Sequence, residues 1–436
     1  MPSHDISARE FYRQILRFYV PLAVQAVSQS LTYPLVGSIV SKGELGADGY
    51  GAFAQGQMLL FVVGAFGSGL IATGMVFARS KAGMGVFRKL VAGFAAVIFA
   101  AQLAVCFGPL RGFFFGRILG LSGSFEEIAR ITTLTGIPMQ IAFLCRNISL
   151  VALYNEKKSA AANNATLIRI AATAALAYVF VRCGLVGHHW GMFAMTVPVF
   201  GELFLTRRFA RGPVAALADA PGDEPASLRK QLEFSMPLSI SGVLLSSSSI
   251  IVAHAIAHAK PDPDLVRTIH YIVIGIVNPL GFAALKTQSA MIAFPPDEYG
   301  ARRVTSFVFA SGLFLSAALL LLQIPAIGRM YFCGMQNIEP GKLGYATGMA
   351  LVMGVHPLLQ SLRGRAEGLA ALRRRPSAVF AGQTAYLLTM ILSLWALLKT
   401  QLLPGHLMGG ASILAGLLVT LITIHAALRC GKTRRT

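Results

Sequence analysis

Acidic side chains are scarce in this chain of 436 residues, in which 18 aspartates and glutamates stand against 38 lysines and arginines. Charged residues of either sign make up only 13% of the sequence, whereas 55% is hydrophobic and the mean hydropathy is +0.64. No soluble core of this size can bury so much apolar surface. The composition therefore excludes a soluble globular protein and indicates a membrane protein.

Cysteine is also rare, with five residues. None forms a Cys-x-x-Cys pair or has histidines at zinc-ligand spacing, which excludes a disulfide framework and predicts neither a metal site nor a cofactor. His254 and His258 have the i, i+4 spacing of a zinc pair, but the sequence supplies no third ligand near them. We interpret the cysteines as small apolar residues of a membrane interior.

Long apolar runs are abundant. A helix needs roughly 20 apolar residues to cross the ~30 Å hydrocarbon layer of a bilayer. The first six runs lie at about 16–39, 50–78, 87–108, 128–154, 160–182 and 188–206. The other six lie at about 232–257, 267–293, 304–324, 343–370, 377–398 and 405–428. The sequence therefore predicts an all-α polytopic membrane protein with 12 transmembrane helices.

The second six spans repeat the first six at a nearly constant offset of half the chain length. The matching landmarks are Arg13-(x)4-Phe18-(x)2-Pro21-Leu22 with Arg229-(x)4-Phe234-(x)2-Pro237-Leu238, Arg146 with Arg363, and Gly187-His188-(x)2-Gly191 with Gly405-His406-(x)2-Gly409. A duplicated hydrophobic unit is typical of secondary transporters. Because each half has an even number of spans, we predict two parallel six-helix lobes around a central cavity.

Most basic residues lie in the loops on the side of both termini, which the positive-inside rule assigns to the cytoplasm. The predicted domains are an N-terminal lobe at 1–206, a cytoplasmic linker at 207–230 and a C-terminal lobe at 231–436. We expect a multi-pass protein of the cell (inner) membrane with both termini cytoplasmic. Much of the basic excess behind the net charge of +20 then faces the anionic inner leaflet, so no nucleic-acid partner is expected.

Four separate spans place a cation roughly 12–15 Å deep on the cytoplasmic side of the bilayer. These cations are Arg146, Arg169, Lys286 and Arg363. A buried charge costs at least ~2.5 kcal/mol, so each must face a partner or a watery cavity. Arginine suits phosphate and carboxylate groups because its planar fork donates two parallel hydrogen bonds.

Only two acids lie within the predicted spans, Glu202 and Glu367. Glu367 follows Arg363 by four residues, so a local pair on one helix is the structural alternative to a substrate-binding arginine. Glu202 could likewise neutralise Arg146 or Arg169. Even with both pairs formed, at least two of the four cations lack an acidic partner, which indicates an anionic ligand.

Polar residues line one face of the first predicted span. Gln25, Gln29 and Tyr33 recur at i, i+4 and i+8. They are candidates for lining the cavity, although such residues also form hydrogen bonds between helices in membrane bundles. Both interpretations stay open at the level of sequence.

Four patches of the sequence carry a family resemblance. They are Leu16-Arg17-Phe18-(x)2-Pro21-Leu22, Gly74-Met75-Val76-Phe77-(x)2-Ser80-Lys81, Phe234-(x)2-Pro237-Leu238 and Arg363-(x)4-Gly368-(x)3-Leu372-Arg373-Arg374. Together with the twelve-span repeat, they resemble the multidrug/oligosaccharidyl-lipid/polysaccharide (MOP) exporter superfamily, which has the MATE fold. Within it the closest resemblance is to the progressive-ankylosis family of pyrophosphate, citrate and nucleotide exporters. The pattern departs late in the eighth span, where the family has an arginine and this chain has Lys286 three residues earlier.

The resemblance implies two lobes around a V-shaped cavity. We expect a secondary transporter that exports organic or phosphorylated anions by alternating access through a cationic central cavity. The expected substrate-binding residues are Arg146, Arg363, Lys286, Arg169, Gln25, Gln29 and Tyr33, and the expected coupling or charge-pairing residues are Glu202 and Glu367. The expected partners are a small anionic substrate and membrane lipid, and the chain is expected to be a monomer.

Two other functions are compatible with the sequence. A flippase for a lipid-linked oligosaccharide or peptidoglycan precursor is the main alternative, because the pyrophosphate of its substrate would use the same arginines. A membrane-embedded transferase is a third hypothesis, but the sequence offers no clustered acid/base pair, so an enzyme is not expected.

The predicted orientation is testable with single cysteines introduced into the loops. Cysteines at Gly46 and Lys260 should react with an impermeant thiol reagent from outside the cell, and a cysteine at Pro221 only from inside. Labelling of intact cells against inverted vesicles measures this difference. Reaction from the opposite faces would overturn the orientation.

Overall fold

The computed structural model describes residues 7–30, 32–218, 227–259, 262–336 and 338–430. The side chain of Tyr33, the labelling positions Lys260 and Pro221, and the exposure of Gly46 lie outside what it describes. In the described ranges the chain is helical, and its one extended pairing is an isolated bridge between Ser80 and Ala218.

The first half of the chain forms the following helices: α1 (Ala8–Gln29), α2 (Thr32–Val40), α3 (Gly46–Gly64), α4 (Leu70–Phe77), α5 (Lys81–Cys106), α6 (Gly108–Arg111), α7 (Gly123–Thr135), α8 (Ile137–Asn155), α9 (Ser159–Arg182) and α10 (His188–Ala215). A 3-10 turn, Ala65–Gly67, joins α3 to α4, and a π-helical segment, Gly112–Ile118, follows α6.

The second half forms α11 (Leu228–Ala257), α12 (Pro263–Leu285), α13 (Thr287–Ala293), α14 (Pro296–Tyr299), α15 (Ala301–Leu320), α16 (Pro325–Gly328), α17 (Leu343–Met353), α18 (His356–Leu372), α19 (Pro376–Thr400) and α20 (Gly405–Cys430). Two 3-10 turns, Leu321–Gln323 and Pro340–Lys342, and a π-helical segment, Arg329–Met335, complete it.

Each of the twelve predicted spans coincides with helical structure. Within the described residues, nine helical segments are long and apolar enough to cross a membrane. The first, sixth and tenth predicted spans are helical but do not belong to these nine, and they carry Gln25, Glu202 and Arg363 respectively. The structure therefore confirms the predicted all-α polytopic fold. The predicted site residues lie both on these nine segments, as Arg146, Arg169 and Lys286 do, and on the three spans outside them.

The fourth and tenth spans are interrupted at corresponding places. The fourth breaks at Gly136, between α7 and α8, and the tenth breaks after Gly354, between α17 and α18. Pro138 and Pro357 follow in the first turn of the new helix. The N–H groups of a first turn have no acceptor within the helix, so proline, which lacks an N–H, costs no hydrogen bond there. α8 and α18 therefore begin inside the predicted span, and each carries a buried arginine.

Other local backbone features also recur in the two halves. The π-helical segments start at positions that match under the repeat, Gly112 and Arg329. Lys157 and Arg374 are separated by the same offset, and they have φ angles of 57° and 53° just after α8 and α18. Left-handed residues of this kind end helices. The sequence repeat is thus reproduced in backbone conformation.

The described residues group into two compact units, each with its own core. One is Ser28–Val243, whose core includes Phe53 and Leu60. The other combines Met1–Val27 with Leu244–Thr436, and its core includes Met353. The predicted lobes at 1–206 and 231–436 follow the sequence repeat. The packed units differ from them because the start of each half groups with the opposite half.

Equivalent aromatic contacts hold these two exchanged segments. Phe18 on α1 packs edge-to-face on Phe294, with ring centroids 5.8 Å apart. Phe234 on α11 packs in the same way on Phe77, at 5.1 Å. Tyr19 also donates a hydrogen bond to the Ala283 carbonyl at 3.0 Å. The Phe-(x)2-Pro-Leu motif of each half therefore packs on the matching phenylalanine of the other half.

The predicted linker at 207–230 is partly helical. α10 continues to Ala215, well beyond the predicted end of the sixth span at 206, and α11 begins at Leu228. The segment after α10 is held in place, since the Lys81 backbone N–H donates to the Ala218 carbonyl at 3.0 Å.

α18 lies very close to the segment that joins α12 to α13. A Cβ atom added at Gly364 would lie 2.3 Å from the Thr287 hydroxyl and 2.9 Å from the Leu285 carbonyl oxygen. One turn later, a Cβ at Gly368 would lie 2.7 Å from Met291. Small residues allow helices in a membrane bundle to approach closely. This pair of glycines places the arginine of α18 against the break in the eighth span.

Alanine at Gly364 should therefore destabilise the protein, by about 1–3 kcal/mol, because the neighbouring backbone must move. Gly275 on α12 is a matched control, since a Cβ there meets nothing within 4 Å. Gly275→Ala should be neutral or should stabilise by up to about 1 kcal/mol, as alanine favours helix. Melting temperatures of the two purified variants in detergent measure the difference, and equal values would contradict the close packing.

Candidate functional site

Three helices of the Ser28–Val243 unit bring predicted site residues together. Arg146 on α8 forms an ion pair with Glu202 on α10, with Nη1 2.7 Å from Oε1. Arg169 on α9 binds the other carboxylate oxygen, with Nε 3.1 Å from Oε2. The exposed fractions of Arg146, Arg169 and Glu202 are 9%, 3% and 1%. One buried carboxylate thus serves two arginines.

Neighbouring side chains complete this cluster. The Thr166 hydroxyl donates to Glu202 from one turn before Arg169 on α9. Arg169 Nη1 donates to the Thr32 hydroxyl at 3.3 Å. The Phe143 ring lies under both guanidinium groups, with its centroid 4.7 Å from Arg146 Cζ and 5.9 Å from Arg169 Cζ. A ring face stabilises a desolvated cation by up to about 2 kcal/mol.

The charges of this cluster do not balance. Among the lysines, arginines, aspartates and glutamates described in this unit, three side chains are buried: Arg146, Arg169 and Glu202. Their charges sum to one positive charge. Arg146 Nε is buried without a hydrogen-bond acceptor among the described residues. Because an uncompensated buried ion costs several kcal/mol, the cluster is suited to bind one further negative charge.

A second cluster lies on α18 in the other unit. Arg363 Nε donates to Glu367 Oε1 at 2.7 Å, and both side chains are buried. Arg363 Nη1 also donates to the Gln360 side-chain oxygen at 3.4 Å, and Gln383 on α19 donates to Glu367 at 3.0 Å. The ion pair lies along one helix face, at the i, i+4 spacing.

His356 extends this polar face to the break in the tenth span. It is the first residue of α18, it is buried, and its Nε2 lies 3.2 Å from the Gln360 side-chain nitrogen. Its ring packs against Gly281, where a Cβ would lie 2.5 Å from the imidazole. His356, Gln360, Arg363 and Glu367 thus follow one another along a single polar stripe, on which Gln360 is half-buried and the other three are buried.

The two clusters share positions that are equivalent under the repeat. Arg146 and Arg363 match under the repeat, and so do Thr166 and Gln383, each of which donates to the carboxylate of its cluster. Thr166, Gln383, Gln360 and His356 are site residues that were not predicted from the sequence. Thr166 and Gln383 are separated by the same offset as Arg146 and Arg363, so a search for polar residues at that offset would have found them as equivalent positions.

Lys286 lies at the break between α12 and α13. Its backbone separates the two helices, and its N–H donates to the Ala283 carbonyl at 3.1 Å. Gly364, next to Arg363, packs on the residues that flank Lys286. The structure therefore places the Lys286 backbone beside the arginine-bearing helix of the same unit.

The polar stripe of the first span lies near the end of α1. Gln25 is buried, with 2% exposed, and Gln29 is half-buried. Thr32, on the next helix, accepts a hydrogen bond from a predicted site arginine, Arg169. Its contact brings the first span into the cluster.

Metal binding finds no support in the described part of the chain, where no three histidine, cysteine, aspartate or glutamate side chains lie close enough to share an ion. His254 and His258 pack with ring centroids 4.7 Å apart, and His258 Nδ1 lies 2.9 Å from the His254 carbonyl oxygen.

The fold is that of the MATE transporters. The chain matches an outward-facing multidrug resistance MATE family transporter of the MOP superfamily with a TM-score of 0.72 and 15% identity, over 97% of this chain and 96% of that chain. It matches a eukaryotic MATE transporter with a TM-score of 0.72 and 14% identity, over 97% and 96%. No protein-family model matches the sequence, and no similar curated protein is found.

A third similar structure is a MOP superfamily transporter from Pyrococcus furiosus, described as having a binding pocket of reverse polarity that suggests a different function. It matches with a TM-score of 0.70 and 12% identity, over 97% of this chain and 95% of that chain. At such low identity these matches establish the fold alone. The resemblance to the progressive-ankylosis family stays a hypothesis.

Glu202→Gln should destabilise the protein strongly, by about 3–5 kcal/mol, because it leaves two adjacent buried guanidinium groups without a carboxylate. Arg169→Met should lower stability much less, because it retains the pair between Arg146 and Glu202. Glu127→Gln is the control at an ion pair with Arg130 in which the glutamate side chain is 41% exposed, so a smaller change, of about 1 kcal/mol or less, is expected. Melting temperatures in detergent rank the three variants, and a Glu202→Gln value equal to that of Glu127→Gln would contradict the arrangement.

Proposed function

We propose that this protein is a secondary transporter that exports organic or phosphorylated anions, such as pyrophosphate, citrate or nucleotide-like molecules, by alternating access. The observation that supports it is the excess of buried arginine over buried carboxylate around Glu202. The MATE-like fold supports transport as the general activity, and the charge of the site supports an anion as the substrate.

The carboxylates have a role of their own in this proposal. In the absence of substrate, Glu202 and Glu367 neutralise the arginines and keep them oriented. An incoming anion competes for the same guanidinium groups, since an arginine fork binds phosphate or carboxylate through two parallel hydrogen bonds. Because the substrate replaces an internal carboxylate, the arginines have an anionic partner both with and without substrate. Neither state then contains a buried cation without a partner, which would be costly.

The site polarity argues against cation export. A transporter of cations needs acids to receive its substrate or a coupling ion, whereas both buried acids described here are bound to arginine. The transporter from Pyrococcus furiosus is described as having a pocket of reverse polarity. By analogy, pocket polarity differs among proteins with this fold, and we infer that the present chain also departs from cation export.

Arg146→Ala and Arg363→Ala should each reduce uptake of a transported anion into proteoliposomes about tenfold or more, because a charge-assisted contact is worth roughly 1.5–3 kcal/mol. Lysine at either position should restore uptake only in part, since it retains the charge but loses the fork. The panel is pyrophosphate, citrate and ATP, with Arg13→Ala as control, since that arginine side chain is 62% exposed.

Glu367→Gln separates substrate binding from a structural role of Arg363. If Arg363 binds the anion, this variant should keep or raise anion affinity, because it removes the internal competitor. If the pair is purely structural, the variant should lower both transport and melting temperature, as Arg363→Ala does. Transport of every tested anion at the wild-type rate by both arginine variants would contradict the proposal. Selective stabilisation of the protein by a lipid-linked sugar would instead support a flippase.

A further inference from the structure

A cleft of about 560 Å³ lies at one end of the Ser28–Val243 unit, where α5 begins and α10 ends. Three exposed arginines line its mouth, Arg88 from α5 and Arg207 and Arg211 from α10. Among the described residues, no acidic side chain lines this cleft or forms an ion pair with the three arginines. The cleft therefore concentrates positive charge without internal compensation.

The inner part of the cleft is largely apolar. α8 contributes Cys145, Ile148 and Ser149, and α10 contributes Ala210 and Val214. The residues of α8 reach two to three helical turns inward from its end at Asn155, which is roughly 9–15 Å at 1.5 Å per residue. The cleft is thus cationic at its mouth and apolar along its depth.

The arginines of α10 continue the apolar outer face of that helix. Val197, Phe200 and Phe204 are 43%, 47% and 66% exposed, and Arg207 and Arg211 follow at the same helical spacing of three and four residues. Such a stripe of exposed aromatic and aliphatic side chains on a predicted span faces lipid. The same face therefore changes from apolar to cationic at the predicted cytoplasmic end of the helix.

α5 shows the same change on its own outer face. Phe99 is 42% exposed and lies eleven residues after Arg88, which is three helical turns. Arg88 and Phe99 therefore lie on one side of α5. The helices on both flanks of the cleft thus have an exposed apolar face that leads to an exposed arginine.

We propose that this cleft binds an anionic phospholipid, with the lipid phosphate held by Arg88, Arg207 and Arg211 and part of an acyl chain lying over Cys145 and Ile148. The predicted orientation places the arginines at the cytoplasmic leaflet, which is rich in anionic lipid, and basic pockets between transmembrane helices suit such headgroups. The volume lies within the range of small-molecule sites. A soluble phosphate offers the same charge, but it would leave the apolar part of the cleft uncovered.

The direct test is binding of dioleoyl phosphatidylglycerol to the purified protein in detergent. Native mass spectrometry and the melting temperature both measure this binding. The triple variant Arg88→Gln, Arg207→Gln and Arg211→Gln should lose affinity for this lipid by about fivefold for each arginine. Dioleoyl phosphatidylcholine, which carries no net charge, should bind the wild type much more weakly.

A second triple variant controls for general surface charge. Lys89→Gln, Lys158→Gln and Arg208→Gln remove the same charge from exposed positions that do not line the cleft. This variant should keep wild-type affinity for phosphatidylglycerol. Equal losses in both triple variants would overturn the proposal in favour of diffuse attraction between the lipid and the basic surface.

Cys145 provides a readout inside the cleft. It is a free, half-buried thiol, and it can be labelled alone after the other four cysteines are replaced by serine. Phosphatidylglycerol should slow maleimide labelling of Cys145 in the control triple variant and not in the arginine triple variant. Inorganic phosphate and glycerol 3-phosphate should have no such effect. Protection by these soluble anions without protection by the lipid would overturn the lipid as the occupant.

Discussion

A positive charge inside an apolar helical bundle is the constraint on which the rest of this structure depends. Such a charge costs several kcal/mol unless a partner compensates it. The protein meets this cost with only two buried acids among its described residues, so Glu202 accepts contacts from two arginines on two other helices. Thr166, Thr32 and Phe143 then supply further contacts. The packing of α8, α9 and α10 is arranged around these charges as much as around an apolar core.

The internal repeat explains where the arginines lie but not how they are compensated. Arg146 and Arg363 occupy equivalent places after equivalent breaks in the fourth and tenth spans. The carboxylate, however, comes from the sixth span in the first half and from the same helix as the arginine in the second half. Equivalent cations with different acids indicate that the positive charge is the feature shared by the two halves. This agrees with a role of the arginines toward a ligand.

The exchange of the first segment of each half links the two repeats. Phe18 packs on Phe294 and Phe234 packs on Phe77, and these contacts are equivalent under the repeat. Each packed unit therefore contains residues from both halves of the duplicated sequence. Alternating access, as proposed, requires such segments to follow the unit on which they pack. The fold shared with MATE transporters does not by itself identify a ligand, so the proposed substrate class rests on the charges of the site.

Hydropathy and spacing are enough to predict the helical fold, the positions of the spans and the repeat, because apolar length acts within a single helix. The i, i+4 spacing also offered the local pair of Arg363 with Glu367 as one of two possibilities. Only the tertiary structure decided that Glu202 binds Arg146 and Arg169 together, that Thr166 and Gln383 complete the clusters, and that Phe18 and Phe234 pack in the opposite half. It also decided that α10 continues into the predicted linker. These features depend on which helix faces meet. The periodicity of one helix shows which of its faces is polar, but it does not identify the residue of another helix that this face contacts.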